Sequence, residues 1–314
     1  MAMTLGLDVL GGDFAPEANV LGAIQAQKEL VDRAKICLIG NKDDIEAILS
    51  REGADLQQFE VVHTTEQIEM GEHPTKAFLK KTNSSIAIGF KLLAEGKIDA
   101  FSSTGNSGAM LVGAMYTIRT VPGVIRPSIT TAVPVLNGGV SILLDVGINA
   151  DCKPDVLYQF GILGSLMASQ IYNIDSPKVG LLNIGEEEEK GNLLSQAAHE
   201  MMKDSKDFNF IGNIEGRDLF NGKADVIVCD GYTGNIVLKQ AEALYTLIRK
   251  RNVQDEYFER FNYEIYGGTP VLGVNGNVII GHGISNANAV KNMILLSADT
   301  AEAKLADRIR KVFK

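Results

Sequence analysis

One lysine in a glycine-rich segment of this 314-residue chain could do chemistry on an anion. Lys190 lies in Lys190-Gly191-Asn192, between an apolar, strand-like segment that starts at Lys178 and a helix pattern that starts at Leu193. The first N–H groups of a helix have no acceptor within the helix and attract anions. Lys190 adds a mobile positive charge beside them, so we predict an anion site here.

Two tripeptides nearly repeat each other, Thr104-Gly105-Asn106 and Thr233-Gly234-Asn235, and each lies between a strand pattern and a helix pattern. A hydroxyl, an unhindered backbone and a carboxamide offer several hydrogen-bond donors at the start of a helix. Such donors suit a phosphate or a developing oxyanion. The alternative is an ordinary helix N-cap, because Thr and Asn are favoured at that position. The residues alone leave both interpretations open.

Arg217 and His282 are further candidates for binding or catalysis. Arg217 could clamp a phosphate through two parallel hydrogen bonds, or it could pair with the neighbouring Glu215 or Asp218. His282 is the only histidine in a glycine loop at a predicted strand end, where it could act as a general base or simply pack. Both alternatives stay open for each residue.

Two features argue against a metal ion or a dinucleotide. The acids Glu186–Glu189 are consecutive, so they cannot all converge on one ion, and we interpret them as a solvated loop. Gly281 and Gly283 are spaced as in a dinucleotide-binding loop, but Asn286 replaces its third glycine. We therefore predict neither a metal site nor a nucleotide cofactor.

The elements that must position these residues repeat one local pattern, a short apolar strand, a glycine-containing turn and an amphipathic helix. Such strands are predicted at Leu5–Val9, Lys35–Ile39, Ile98–Phe101, Asp225–Cys229 and Val278–Ile280. Strands that alternate with helices predict an α/β fold, with a mostly parallel sheet sandwiched by helices. In such folds ligands bind at the carboxyl ends of the strands, where these turns lie.

Three further patterns predict local structure. Apolar residues near helical spacing predict one long helix over Lys76–Glu95. Asn137-Gly138-Gly139 predicts a hairpin between strands at Arg126–Val135 and Val140–Val146. Ile236–Arg251 predicts an amphipathic helix with basic residues, whose apolar face packs in the core by default. The alternative is that it docks an acidic carrier protein or a membrane surface.

Composition narrows the class of protein. The formal net charge of −9 argues against a nucleic-acid partner. The three cysteines are far apart and form no CxxC pair, which is typical of a reducing cytosol. The N-terminus lacks the basic and apolar regions of a signal peptide, and no apolar run approaches the length of a membrane span. We therefore predict a cytoplasmic protein.

Read together, these turns resemble one family, the bacterial phosphate acyltransferases (acyl-ACP:phosphate acyltransferases, the PlsX family) of glycerophospholipid synthesis. The matching segments appear in family order and cover nearly the whole chain. They are Asp8–Asp13, Thr104–Ala109, Leu144–Pro154, Gly180–Asn192, Gly212–Asp218, Asp230–Lys239 and Tyr266–Asn288.

The resemblance implies that inorganic phosphate attacks the thioester of acyl-acyl carrier protein, giving acyl phosphate and free carrier without a metal or redox cofactor. It implies the architecture of isocitrate and isopropylmalate dehydrogenases and of phosphotransacetylase. Residues 1–314 would then form a single domain whose two lobes surround a cleft. The resemblance also implies a homodimer.

The resemblance assigns roles to individual residues. Lys190 and Asn235 lie in matching stretches and are carried over as the catalytic pair. The mechanism also needs groups that bind phosphate or substrate, and the candidates are Thr104, Gly105, Asn106, Thr233, Gly234, Arg217 and His282. Because the carrier protein is acidic, basic residues of the predicted helix over 236–251 are candidates for docking it: Lys239, Arg249, Lys250 and Arg251.

The chain departs from the family pattern at three places. Val9-Leu10 stands where the family usually has Ala-Met, and Asn83 stands where it usually has aspartate. The segment between Asn235 and Gly267 is shorter and more charged than usual. Weak peripheral association with the inner face of the cell membrane, which that segment supports in the family, therefore stays open.

Two other functions also stay open. A phosphotransacetylase-like enzyme would use acyl-CoA in place of the acyl carrier protein. A non-catalytic scaffold would bind the carrier without forming acyl phosphate. A dehydrogenase of the same fold is disfavoured, because no nicotinamide-binding loop is readable in the sequence.

Overall fold

A computed structural model describes residues 3–314 of the chain. In chain order its strands are β1 (Met3–Asp8), β2 (Ala34–Gly40), β3 (Phe59–His63), β4 (Ala100–Ser103), β5 (Ser128–Pro134), β6 (Val140–Leu144), β7 (Lys178–Leu182), β8 (Asn209–Ile214), β9 (Val226–Val228), β10 (Thr269–Leu272) and β11 (Asn277–Ile280).

The α-helices are α1 (Glu17–Leu30), α2 (Lys42–Arg51), α3 (Pro74–Lys80), α4 (Ser85–Ala94), α5 (Ser107–Gly113), α6 (Pro154–Ile171), α7 (Leu193–Met202), α8 (Gly231–Lys250), α9 (Glu256–Glu259), α10 (Ala287–Glu302) and α11 (Leu305–Val312). A π-helical turn spans Ala114–Ile118, and short 3₁₀ turns span Leu56–Gln58, Gly216–Asp218 and Tyr263–Ile265.

The chain divides into two compact units. The first extends to Val121 and includes Tyr263–Asp307, and the second comprises Pro122–Asn262 and Arg308–Lys314. That they act as one domain with two lobes around a cleft stays a prediction.

The first unit is built on strands in the order β3-β2-β1-β4-β11-β10. All neighbours are parallel except β10 and β11, which are antiparallel. Helices α1 and α10 pack closely together at Gly22, where an added Cβ would lie only 2.6 Å from Val290 Cβ. Leu5 and Leu7 of β1 belong to the same buried core.

The second unit is built on strands in the order β5-β6-β9-β7-β8. Strands β5 and β6 form the predicted antiparallel hairpin, and all other neighbours are parallel. Leu181 of β7 pairs with Val228 of β9, so these two strands end side by side. The mostly parallel sheets with flanking helices confirm the predicted α/β class.

The prediction of one helix over Lys76–Glu95 is wrong, because the segment forms α3 and α4 with a break between them. Ser84 caps α4 by accepting the N–H of Ala87. The main chain of Asn83 is bonded elsewhere, with its N–H donating to Glu66 Oε2 and its carbonyl accepting from Thr64 Oγ1. These polar groups compete with helical bonds, and apolar spacing does not reveal the competition.

Helix α8 begins five residues earlier than the predicted Ile236. Asp230 is its N-cap, so Thr233, Gly234 and Asn235 lie inside its first turns and do not form a turn ahead of it. Asp230 is a favoured residue type for an N-cap, and its side chain accepts the N–H of Thr233, which would otherwise have no partner. The helix therefore begins before Thr233 and Asn235 could serve as its caps.

Candidate functional site

The lysine loop, residues 183–192, connects β7 to α7 and carries Lys190. Side-chain amides hold four of its carbonyls: Asn213 Nδ2 donates to Glu187 O (2.8 Å), Gln196 Nε2 to Glu189 O (2.6 Å) and Gly191 O (3.2 Å), and Asn183 Nδ2 to Lys190 O (3.1 Å). The Lys190 N–H donates to Glu187 O at 3.1 Å. The main chain of this surface loop is therefore held at several points.

The two residues after Lys190 determine where α7 begins. Gly191 has a φ of +90°, and a Cβ there would lie 2.3 Å from Asn183 Oδ1. Both the backbone conformation and the space therefore require glycine. Asn192 is the N-cap of α7, because its Oδ1 accepts the Ser195 N–H at 2.8 Å.

The acids Glu186–Glu189 are all exposed, as predicted for a solvated loop. Glu186 pairs with Lys223 Nζ at 2.6 Å, and Glu188 Oε1 lies 3.9 Å from His199 Nε2. Lys190 is exposed too, and within residues 3–314 no carboxylate forms an ion pair with it. Glu187 and Glu189 likewise form no ion pair within those residues, and the exposed ammonium group of Lys190 is available to an anion.

A buried carboxylate organises the loop that follows β6. Asp145 Oδ2 accepts the N–H groups of Asn149 (2.6 Å) and Ile148 (3.2 Å), and its Oδ1 accepts the Ile129 N–H at 3.0 Å. Burial raises the pKa of the Asp145 carboxyl, and the bonds from Asn149 and Ile129 oppose this shift. We call Asp145–Asn149 the Asp145 loop.

The start of α8 packs directly on the Asp145 loop. A Cβ on Gly234 would lie 1.9 Å from Asp145 O, and one on Gly231 would lie 2.6 Å from Asp145 Oδ2. Gly231 N–H also donates to Asn149 O at 2.7 Å. The two glycines therefore let the helix approach the loop more closely than any other residue type would.

The N–H groups around Gly234 are already used inside the protein. Asp230 Oδ1 accepts the Thr233 N–H and its Oδ2 accepts the Thr233 hydroxyl, both at 2.8 Å. The Gly234 N–H donates to Asp230 O at 3.0 Å. Thr233 and Gly234 thus fix the first turn of α8, and these donors do not point to an open cradle.

Asn235, the next residue, has an exposed side chain. It lies beside the Asp145 loop, since a Cβ on Gly147 would be 3.6 Å from Asn235 Oδ1. Among residues 3–314 no group exchanges a hydrogen bond with its carboxamide.

Because β7 and β9 are parallel neighbours, Lys190 and Asn235 both follow strand ends at the same edge of this sheet. A cation and a neutral donor at one edge can bind an anion and stabilise an oxyanion.

The matching tripeptide of the first unit is used differently. Asn106 is the N-cap of α5, where its Oδ1 accepts the Ala109 N–H at 3.0 Å. Its Nδ2 donates to three carbonyl oxygens, those of Glu69 (3.1 Å), Met70 (3.3 Å) and Glu72 (3.1 Å). The carboxamide of Asn106 is therefore occupied, whereas that of Asn235 is accessible.

Thr104 and Gly105 are likewise tied to the end of β1. Thr104 is buried and its hydroxyl donates to Gly11 O at 2.9 Å. The Gly105 N–H donates to Ser103 Oγ at 2.9 Å, and that hydroxyl donates to Asp8 Oδ2 at 2.7 Å. Their assignment to phosphate binding stays a prediction, and the groups named here already have partners.

The other two candidate binding residues also have partners. Arg217 pairs with Glu215 Oε2 at 2.5 Å, which is the alternative that the sequence left open. His282 is half-buried, and its ring lies against that of Tyr263 with 5.1 Å between the centroids. Their roles in substrate binding stay predictions.

The four candidate docking residues lie on the exposed side or at the end of α8. Lys239 pairs with Glu242 at 2.8 Å and Arg249 with Glu259 at 2.6 Å, while Lys250 and Arg251 are exposed at the end of the helix. Apart from Gly231 and Gly234, α8 has no fully buried residue. No helix within residues 3–314 combines the length and apolar character needed to cross a bilayer.

Sequence reasoning assigned no role to three residues that organise this region. Asp145 and Asp230 each stand at a strand end before a glycine segment, and that position was a readable signal for a loop anchor or an N-cap. Asn213 follows Gly212 inside a strand, where a glycine often marks a bulge.

Comparisons with known proteins agree with the fold and motifs. Residues 3–308 match the family described as "Fatty acid synthesis protein". The chain is 44% identical to the phosphate acyltransferase of Endomicrobium trichonymphae, over 98% of this chain and 97% of that one. It is 40% identical to the phosphate acyltransferase of Dictyoglomus thermophilum, over 98% and 96%. A phosphotransacetylase structure from Streptococcus pyogenes is similar with a TM-score of 0.69 and 17% identity, covering 96% of this chain and 94% of that one. At that identity the similarity bears on the fold alone.

Proposed function

The chain belongs to the phosphate acyltransferase family, and we propose that it transfers a fatty acyl group from acyl-acyl carrier protein to inorganic phosphate. The product, acyl phosphate, would serve glycerophospholipid synthesis. The observation that carries this proposal is that Lys190 and Asn235 are exposed after adjacent parallel strands of one sheet. The family membership confirms the resemblance and makes the protein a transferase.

The reaction needs little beyond charge and orientation. A phosphate oxygen attacks the thioester carbon, a C–O bond forms, and a tetrahedral oxyanion develops. The C–S bond then breaks, and the thiolate leaves with the electron pair and takes a proton from solvent. A thiol pKa of about 8.5 makes it an adequate leaving group without a dedicated acid.

Lys190 and Asn235 suit the two charges of this reaction. The ammonium group of Lys190 is without a carboxylate partner among residues 3–314, so it can neutralise the incoming phosphate. The Asn235 amide can donate to the thioester oxygen as it becomes negative. One such donor typically contributes about 3–4 kcal/mol to transition-state stabilisation.

Carrier docking is a further part of the proposal. Lys250 and Arg251 offer exposed positive charge, and the surface pairs of Lys239 and Arg249 are easily exchanged for acids of a carrier. Exposed ion pairs of this kind contribute only about 0–1 kcal/mol. The homodimer and weak peripheral contact with the membrane stay predictions, which light scattering and flotation with vesicles would test.

The deciding experiment mixes the purified protein with acyl-acyl carrier protein and inorganic phosphate and traps acyl phosphate with hydroxylamine. We expect hydroxamate that depends on phosphate, and a loss of at least about 10²-fold in Lys190→Ala. Equal turnover of acyl-CoA would favour the phosphotransacetylase-like alternative. Binding of the carrier without hydroxamate would favour the scaffold and reject the proposal.

A further inference from the structure

A continuous series of hydrogen bonds connects a buried histidine to the main chain of Lys190. His199 Nδ1 lies 3.1 Å from Asn213 Oδ1, and Asn213 Nδ2 donates to Glu187 O at 2.8 Å. The same carbonyl accepts the Lys190 N–H at 3.1 Å. His199 is 5% exposed and Asn213 is 3% exposed, whereas Lys190 is exposed. Two buried side chains thus support the backbone of an exposed lysine.

The carbonyl oxygen of Glu187 determines which atoms in this series donate and which accept. A carbonyl oxygen only accepts, so the nitrogen of the Asn213 amide must face Glu187 O and its oxygen must face His199. His199 Nδ1 therefore carries the hydrogen and donates it. The other ring nitrogen, Nε2, lies 3.9 Å from Glu188 Oε1.

A bulge in β8 brings Asn213 to this position. Between Phe210 and Asn213 the pairing of β8 with β7 gains one extra residue, and Gly212 has a φ of +93°. In a regular strand, residues three apart point to opposite faces. Here Phe210 packs against the His199 ring, with centroids 5.3 Å apart, and Asn213 hydrogen-bonds the same ring. The extra residue is what lets both side chains reach His199.

We propose that His199 and Asn213 are positioning residues for Lys190, a proposal that rests on the proposed function. The lysine side chain is long and flexible, so the place its ammonium group occupies depends on how firmly its Cα is held. Without the Asn213 bond, Glu187 O loses one of its two donors, and the main chain of Lys190 is held less firmly on its N-terminal side. A shift of about 1 Å at a reacting group can cost about 10²-fold in rate.

The test compares two variants of His199 that separate positioning from packing. His199→Asn keeps an amide N–H near the place of Nδ1 but leaves space unfilled, whereas His199→Leu fills more space and has no donor. Positioning predicts a higher kcat for His199→Asn than for His199→Leu, even where melting shows His199→Asn to be the less stable. An activity order that follows the melting temperatures, with His199→Leu the better enzyme, overturns the proposal.

A second pair of variants tests the other end of the series. We expect Asn213→Ala to lower kcat by about 10–100-fold with a smaller change in KM for the acyl carrier. The matched control is Asn209→Ala in the same strand, since Asn209 is exposed and its Nδ2 donates to Ser176 O at 3.4 Å, away from the lysine loop. It should keep wild-type turnover.

A readout independent of activity separates failure of this proposal from failure of the proposed function. Amide hydrogen exchange over residues 184–192 should be faster in Asn213→Ala than in Asn209→Ala. Wild-type protein that makes no acyl phosphate refutes the proposed function, yet the exchange result still decides whether Asn213 holds the loop. Unchanged exchange, or wild-type kcat in Asn213→Ala, overturns the positioning proposal.

Discussion

Gly234→Ala is the most direct perturbation of the contact that positions Asn235. A Cβ on Gly234 would lie 1.9 Å from Asp145 O, and real Cβ atoms stay beyond 3.0 Å, so the helix and the loop must separate by about 1.1 Å. The carbonyl is main chain, so it cannot rotate away as a side chain would. Asn235 is the next residue of α8 and moves with it.

The size of the effect can be worked out from this displacement. A misplacement of about 1 Å costs about 10²-fold in rate, or about 2.7 kcal/mol in the activation barrier. Overpacking lowers the free energy of unfolding by about 1–3 kcal/mol, which the better helix propensity of alanine offsets by about 1 kcal/mol. A domain stable by about 5–15 kcal/mol therefore stays folded while kcat falls.

The assay is the hydroxylamine trap, with kcat and KM measured for the acyl carrier and for phosphate, alongside chemical denaturation. The matched control is Gly216→Ala in the same unit, because no atom lies within 4 Å of a Cβ built there and its φ is not in the left-handed region. Gly234→Ala with kcat within about threefold of wild type would refute the reasoning, because the close approach would then be irrelevant to Asn235.

Three further predictions concern the two Thr-Gly-Asn tripeptides, the buried carboxyl of Asp8 and the basic end of α8. Asn235→Ala should lower kcat by about 10²–10³-fold at unchanged stability, whereas Asn106→Ala should lower the free energy of unfolding by about 1–2 kcal/mol through loss of a helix cap; equal stabilities would contradict the distinction. Burial raises the pKa of the Asp8 carboxyl, so the folded state binds the proton more tightly, and the contribution of Asp8 to wild-type stability falls as pH rises above the unfolded pKa of about 3.9. Asp8→Asn cannot titrate, so denaturation from pH of about 4 to about 7 should show its stability improving relative to wild type; a constant difference refutes this. Reversing the charges of Lys250 and Arg251 should raise KM for the acyl carrier at low salt and less at high salt, and an unchanged low-salt KM excludes this docking patch.

The alternation of strands and helices was readable because it depends on local patterns. Apolar runs followed by glycine turns predicted the parallel strands, and Asn137-Gly138-Gly139 predicted the β5–β6 hairpin, both of which are confirmed. Lys76–Glu95 was misjudged because its break depends on Asn83, whose partners Thr64 and Glu66 lie 17 to 19 residues earlier in the chain.

The sequence predicted which residues form the candidate site, but not which residues hold them in place. Lys190 and Asn235 could be selected from motifs, yet Asn213 supports the lysine loop only because a bulge turns it towards His199. The bulge depends on pairing with β7, and the sequence of one segment alone does not determine how it pairs with another.

The sequence by itself determined the α/β class, the family and the identity of the residues that could do the chemistry. It presented Thr104-Gly105-Asn106 and Thr233-Gly234-Asn235 as equivalent. Only the tertiary structure separated them, because Asp230 caps α8 and frees the carboxamide of Asn235, whereas Asn106 is itself a cap and bonds three carbonyls of a distant segment. A hydrogen-bonding group can serve a ligand only if the fold has not already used it, and that depends on which segments the fold brings together.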